Sequence, residues 1–392
     1  MRVSIRSVGA LSACVVMIGS AGCGDSKSDG SNSSDGGAAA DNAVVAKAQK
    51  SLAELKTKVY SKGPNGETPT PAADIKLDAA ELTKIKDKHA KAAIVLHYGG
   101  NDWSNAQVAG LKSELGKMGI DVIATTDANF KPDKQVSDIE TVLAKKPDII
   151  ISIPTDPVAT AGAYRKAAKQ GVKLVFMDNV PKGFKPGADY VSVVSADNYG
   201  NGVAAADLMA QQLGGKGKIG IIYHSADFFV TKQRYDAFKS TIKTNFPDIE
   251  IADEQGIGGP DFAGDAEKVA SAMLTKNPNL DGIWAVWDVP AEGVLAAARA
   301  NGRNDLKVTT VDLGQNVAID MAKGGPIKGL GAQRPFDQGI AEARLAGYGL
   351  LDKEAPPYVA VTALPVTPDS LEAGWRAVYH QGLPPKVQEA AK

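Results

Sequence analysis

From Ala92 onward the chain alternates short, nearly continuous apolar runs with longer stretches of mixed polarity. The runs at 93–97, 121–125, 148–153, 173–177, 190–194, 218–223, 281–286 and 307–311 are rich in Val and Ile and predict buried strands. The stretches at 105–118, 157–170, 198–213 and 290–300 are amphipathic and predict helices. Apolar strands alternating with helices imply parallel sheets covered on both faces, an α/β architecture. In such sheets a ligand sits at the carboxyl ends of the strands, so the residues just after each strand carry the functional information.

The pattern before Ala92 is different. Arg2 and Arg6 precede an apolar stretch from Val8 to Ile18, followed by Gly19-Ser20-Ala21-Gly22-Cys23. A basic start, a short apolar middle and small residues ahead of a cut site predict a secretory signal over residues 1–23, too short to span a bilayer. Cys23 directly after Ala21-Gly22 resembles the bacterial lipobox, with Ser20 where Leu is usual, which makes Cys23 the expected lipid-bearing residue. A plain cleaved signal is the alternative, and both place the protein outside the cytoplasm. Residues 24–41 are Ser, Gly, Asp and Ala with no aromatic and predict a flexible tether. Val45, Ala48, Leu52, Leu55 and Val59 predict a helix over 42–60; Pro64-Asn65-Gly66 and Pro69-Thr70-Pro71 end it and open a polar connector to about Lys91.

A length of 392 residues exceeds the usual single core and implies two lobes. The formal charge is −1, and removal of Arg2 and Arg6 with the signal makes it −3, so nothing points to nucleic acid. No second long apolar run suggests a membrane span. The two cysteines are Cys14 and Cys23, which leaves the body without disulfide, thiolate nucleophile or cysteine metal site. His89, His97, His224 and His380 are dispersed and lack metal-ligand spacing. His224, Ser225 and Asp227 share one loop, where triad geometry is seldom reached. Gly200-Asn201-Gly202-Val203-Ala204-Ala205 fits a loose dinucleotide fingerprint, but it sits mid-succession after an extra Asp-Asn-Tyr, and helix packing accounts for it better. Neither a phosphate-binding Gly-x-x-x-x-Gly-Lys run nor a Gly-x-Ser-x-Gly elbow occurs. The expectation is therefore no catalysis, no cofactor and no metal.

The strand ends are rich in planar hydrogen-bonding groups and large aromatics: Asn101-Asp102-Trp103-Ser104, Asp178-Asn179, Gln233-Arg234, Asp261-Phe262, Trp287-Asp288, Asp312 and Gln333-Arg334. A carboxylate or guanidinium bonds two adjacent hydroxyls at once, and an aromatic face covers the C–H side of a sugar ring. Together they suit a small polyhydroxylated ligand. Simpler roles compete at some positions. Asp312 could cap the following helix, and Phe228 and Phe229 could be core or rim. Period-two alternation puts Trp284 in the core and Trp287 in the pocket. Asp197-Asn198 is expected to organise a crossing between lobes.

Several motifs recur in a recognisable order: Trp103-Ser104 opening a helix that ends Lys117-Met118-Gly119, the run from Pro147 to Pro157, Val175-Phe176-Met177-Asp178, Ser195-Ala196-Asp197-Asn198, Arg234-Tyr235-Asp236-Ala237-Phe238 and Thr310-Val311-Asp312. On these, residues 92–366 resemble the type I periplasmic binding proteins, and among them the ribose-binding group that delivers sugars to ABC importers. The resemblance implies two Rossmann-like lobes, each a parallel sheet flanked by helices, joined by a three-strand hinge. Lobe 1 would hold 92–197 plus 334–362, and lobe 2 would hold 198–333 plus 363–392, after a signal (1–23) and a tether, helix and connector (24–91). It also implies a monomeric, lipid-anchored receptor that closes on a sugar, polyol or related ring and presents it to a permease and ATPase.

Residue by residue, the resemblance puts Trp103 and Phe262 as aromatic walls, and Asp178, Arg234, Asp312 and Gln333 as hydrogen-bonding partners assisted by Asn101. The chain departs from the ribose pattern at Ser104 (Phe there), Asn179 (Arg there) and Trp287 before Asp288 (Asn there). Fewer polar partners and an added aromatic favour a smaller polyol, a deoxy or methylated sugar, or a flatter ring over ribose. Three rivals share some features: a receptor feeding a chemoreceptor or sensor kinase, a sugar-responsive transcription regulator, and an exported NAD-dependent enzyme or hydrolase. The export signal opposes the second, and the missing motifs oppose the third.

Overall fold

The computed structural model describes residues 35–392, with side chains from residue 42; the expected signal, Cys23 and most of the tether lie outside the described residues. Two sheets organise the chain from Thr70 onward. The first collects β1 (Thr70–Pro71), β2 (Lys91–Leu96), β3 (Asp121–Asp127), β4 (Ile149–Ser152), β5 (Lys173–Met177) and β6 (Ser192–Ala196). The second collects β7 (Gly217–His224), β8 (Ile249–Ile257), β9 (Gly282–Ala285), β10 (Lys307–Val311) and β11 (Ile327–Ala332). The chain then returns to the first sheet as β12 (Tyr358–Val361) and to the second as β13 (Leu364–Val366). Strand orders are β1-β12-β6-β5-β4-β2-β3 and β13-β11-β10-β9-β7-β8, and every pairing is parallel except β11 with β13.

Helices α1 (Asp35–Leu55) and α2 (Ala79–Lys86) precede this alternation. The first sheet is flanked by α3 (Asp102–Lys117), α4 (Pro132–Ala144) and α5 (Ala161–Lys169). The second is flanked by α6 (Asn198–Gln212), α7 (Phe229–Asn245), α8 (Phe262–Lys276), α9 (Asp288–Ala300) and α10 (Gln315–Ala322). Helix α11 (Pro335–Leu350) goes back to the first sheet, while α12 (Leu371–Tyr379) and α13 (Pro385–Ala390) complete the second lobe. The strands are apolar on both faces because each face meets its own core. Along β2, Ala92, Ile94 and Leu96 pack with Leu111, Leu115 and Met177, whereas Ala93 and Val95 pack with Tyr164, Leu174 and Phe176. In the second lobe Trp284 is fully buried and stacks on Phe238 at 4.6 Å, while its neighbours Ile283 and Ala285 face the opposite core.

The N-terminal region carries more structure than its polarity suggests. The helix expected at 42–60 runs Asp35–Leu55, and the polar connector contains β1 and α2, the latter opened by an Asp78–Glu81 capping box. Helix α1 lies along α6, with Ala48 and Leu55 fully buried. The chain then passes the lobe junction, where the Tyr60 and Ser61 N–H groups donate to the Asp197 carboxylate at 2.9 and 2.8 Å. Finally β1 pairs with β12 at the edge of the first sheet, and Ile75 and Ile85 enter its core. The chain passes from one sheet to the other after β6, β11 and β12, and the segment from α1 to β1 also runs from the second lobe to the first sheet.

Candidate functional site

The carboxyl ends of both sheets face one another, and a continuous chain of buried hydrogen bonds joins them. Asp178 follows β5 in a left-handed conformation (φ 53°), which turns its side chain back toward the junction. Ser195 Oγ donates to Asp178 Oδ1 at 2.5 Å, and Asn198 Nδ2 donates to Ser195 Oγ at 2.9 Å. Arg234 Nε donates to Asn198 Oδ1 at 2.9 Å, and its Nη1 donates to Asp312 Oδ2 at 3.1 Å and Val286 O at 3.3 Å. Gln333 Nε2 donates to Asp312 Oδ1 at 2.9 Å. All six of these side-chain partners, from Asp178 to Gln333, are buried.

Burial decides the electrostatics. It pushes the Asp178 carboxyl up to about 6, although its Ser195 bond and the Arg234 charge pull the other way. A buried pair such as Arg234–Asp312 adds little net stability, but it fixes two planar groups in place. Asp312 does not cap α10; Gly314 occupies that position, and Asp312 is instead held at φ 71° between Arg234 and Gln333.

Aromatic rings cover the flanks. On the first lobe His97 contacts Trp103 at 6.3 Å and Phe130 at 5.0 Å, and Tyr98 stacks on Phe130 at 4.7 Å. On the second, Phe262 meets Trp287 at 4.9 Å, and His224 touches Phe228, Phe262 and Trp287. Phe130 and Phe262 meet edge-on across the cleft at 5.8 Å, and Asp102 Oδ2 accepts from the Gln315 N–H at 2.7 Å, so the lobes touch. Burial holds His97 neutral, with its pKa down at about 3, and lowers His224 as well.

Of the residues singled out from the sequence, Asp178, Arg234, Asp312 and Gln333 fall on the polar chain, and Trp103, Phe262 and Trp287 fall on the aromatic flanks. Asn179 is buried beside Asp178. Two others serve helix starts. Asn101 Oδ1 accepts from Ser104 N at 2.8 Å as the cap of α3, and Asp288 Oδ1 accepts from Val289 N at 2.9 Å at the start of α9. Burial, then the Asp312 and Glu292 charges, raises Asp288 well above the ordinary carboxyl range. Trp103 Nε1, Asn179 Nδ2 and Gln333 Oε1 are buried without a partner. Unpaired polar atoms of this kind are rare in finished cores and common where a ligand completes the bonding.

The sequence reading missed Tyr98 and Phe130 and assigned Ser195 no role. Phe130 follows β3 on the same rim, within Asp127-Ala128-Asn129-Phe130, where Asn129 and Phe130 both have positive φ. The Gly200-x-Gly202 pattern serves packing: a Cβ on Gly202 would lie 2.4 Å from Arg234 O, and one on Gly200 would lie 2.3 Å from Asp197 Oδ2. Among the described residues no cluster of His, Cys, Asp or Glu is arranged to hold a metal, and no helix is long and apolar enough to cross a membrane.

A family model described as a periplasmic binding protein domain matches residues 92–354. Among curated proteins, the D-apiose import binding protein of Actinobacillus succinogenes is 26% identical over 270 residues, which is 68% of this chain and 84% of that protein. The D-allose-binding periplasmic protein of Escherichia coli is 26% identical over 296 residues, 71% of this chain and 92% of that one. Among solved structures, an ABC sugar transporter subunit from Rhodobacter sphaeroides superimposes with a TM-score of 0.61 at 28% identity, covering 71% of this chain and 98% of that chain.

Proposed function

The chain belongs to the periplasmic binding protein domain family, and from that premise we propose that it is an extracytoplasmic receptor gripping a small sugar or polyol between its lobes for an ABC importer. One observation carries the reading: a buried chain of planar hydrogen-bonding groups with unpartnered atoms, flanked by aromatic rings from both lobes. The similar proteins are named for D-apiose and D-allose, which are uncharged and hydroxyl-rich. Asn179 in place of an arginine and Trp287 in place of an asparagine shift the balance toward ring stacking. The ligand class is therefore a small polyol, a deoxy or methylated sugar, or a flat ring. Lipid on Cys23 would hold the receptor at the membrane facing its permease.

A ligand contacting both rims binds the closed form better than the open one and shifts the population toward closure. Taking closure from about 1% to about 99% requires a preference of about 5.5 kcal/mol. A few charge-assisted hydrogen bonds and a stacked ring, each on the order of 1–3 kcal/mol, supply it. A thermal-shift screen over sugars, polyols and nucleosides tests the reading. A ligand at 100-fold over its Kd stabilises by about 2.7 kcal/mol. Trp103→Ala and Asp178→Ala should each abolish that shift while leaving the unliganded melting point nearly unchanged. Variants that simply unfold would assign both residues to the scaffold.

A further inference from the structure

Between α3 and α11, under the floor of the first lobe, the interior is polar where a core is normally apolar. Gln107 on α3 and Gln338 and Glu342 on α11 are each 0% exposed. Gln107 Nε2 donates to Glu342 Oε1 at 2.6 Å. Gln107 Oε1, both amide atoms of Gln338 and Glu342 Oε2 have no partner. Four such atoms cost about 1–3 kcal/mol each if left unpaired, more than an inert core tolerates.

The row also runs toward the cleft. Trp103 stands one helical turn before Gln107 on the same face of α3, and its Nε1 is equally unpartnered. Gln338 stands one turn before Glu342 on α11. The two helices are pressed together there: a Cβ on Gly339 would lie 2.4 Å from Gln107 O. Burial first, and then the Asp178 charge, raise the Glu342 carboxyl well above its ordinary range, which favours the neutral, protonated form. With Oε1 accepting from Gln107, the proton belongs on Oε2, which becomes a free donor.

We propose that Gln107, Gln338 and Glu342, reached past Trp103, form a polar subsite in the first lobe that receives one hydroxyl-bearing arm of the ligand. The set offers two donors (Glu342 Oε2–H and Gln338 Nε2) and two acceptors (Gln107 Oε1 and Gln338 Oε1), all uncharged. That matches a hydroxyl, which both donates and accepts, and gives neither an ammonium nor a carboxylate a counter-charge. The subsite rests on the sugar-receptor reading and adds to it a specificity determinant outside the aromatic cleft.

Calorimetric titration of the full mature protein with D-allose, D-apiose and D-ribose comes first, followed by monodeoxy derivatives of whichever sugar binds. One derivative should bind wild type at least tenfold more weakly than its parent, yet bind Gln338→Leu within about twofold of it. Gln107→Leu should show the same loss of discrimination, and serves if Gln338→Leu does not fold. Equal discrimination by wild type and variants at every hydroxyl means these side chains do not meet the ligand, and overturns the subsite. Failure of wild type to bind any of the three sugars, or any sugar, polyol or nucleoside in the thermal-shift screen, overturns the receptor reading, and the subsite with it.

Discussion

Asp207 lies on α6 beneath α1, fully buried beside Ser51 and Lys47, with neither carboxylate oxygen in a hydrogen bond. Burial pushes its pKa up to about 7. A carboxyl whose folded pKa exceeds its unfolded value holds its proton more tightly when folded. Its contribution is therefore neutral below about pH 4 and destabilising as pH rises toward 7. Asp207→Asn should melt with wild type at pH 4 and be more stable at pH 8 by up to about 3 kcal/mol. Parallel melting curves across that range would show that the charge costs nothing there. At this scale the site was only partly legible. Asp178, Asp312 and Gln333 directly follow strands, so the α/β rhythm marks them, whereas Arg234 lies in the second turn of α7 and is marked by its Arg234-Tyr235-Asp236-Ala237-Phe238 motif. Phe130 was not marked, because Asp127-Ala128-Asn129 reads as an ordinary polar turn and only its positive φ angles bring the ring onto the rim. Asn101 spends its oxygen on a helix cap, the role that an Asn directly before a helix start ordinarily has.

Elements position these residues by close packing, and α6 against α7 is the instance that bears on the site. Gly202 lets the helices approach until its missing Cβ would sit 2.4 Å from Arg234 O, so α7 delivers Arg234 to Asn198 and Asp312. Gly202→Ala should push α7 away, cost about 1–3 kcal/mol of stability, and weaken ligand affinity at least tenfold. A variant with unchanged affinity would separate the helix spacing from the guanidinium's placement. Most of the longer strands were legible because their apolar runs persist, but β8, with nine residues, was not among the expected runs because Glu250, Asp253, Glu254 and Gln255 interrupt it. Three short strands were not legible either: β1, β12 and β13 are 2, 4 and 3 residues long, too short to show a period. The helix expected at 157–170 begins only at Ala161, because the Asp156 side chain takes the Val158 and Ala159 N–H groups into a turn first.

For the whole molecule, the two-lobed α/β architecture was readable from the strand–helix alternation, but the seating of residues 35–90 was not, since it depends on distant partners. That segment packs on one lobe, bonds at the junction and adds a strand to the other. Asp197 is its fastener, accepting from Tyr60, Ser61 and Gly200 N–H groups. Asp197→Ala should strand those three donors at a cost of about 2–4 kcal/mol and widen the range of lobe angles, read as a larger radius of gyration by small-angle scattering. An unchanged radius and melting point would make the fastening incidental. The same arrangement bears on how the molecule can be instrumented. Helix α1 rides on α6 and helix α13 on α10, so both belong to the second lobe. A pair of fluorophores fused at those two ends would travel together and stay silent during closure. A working biosensor needs one dye inside the first lobe, for instance at the exposed Gly187 turn.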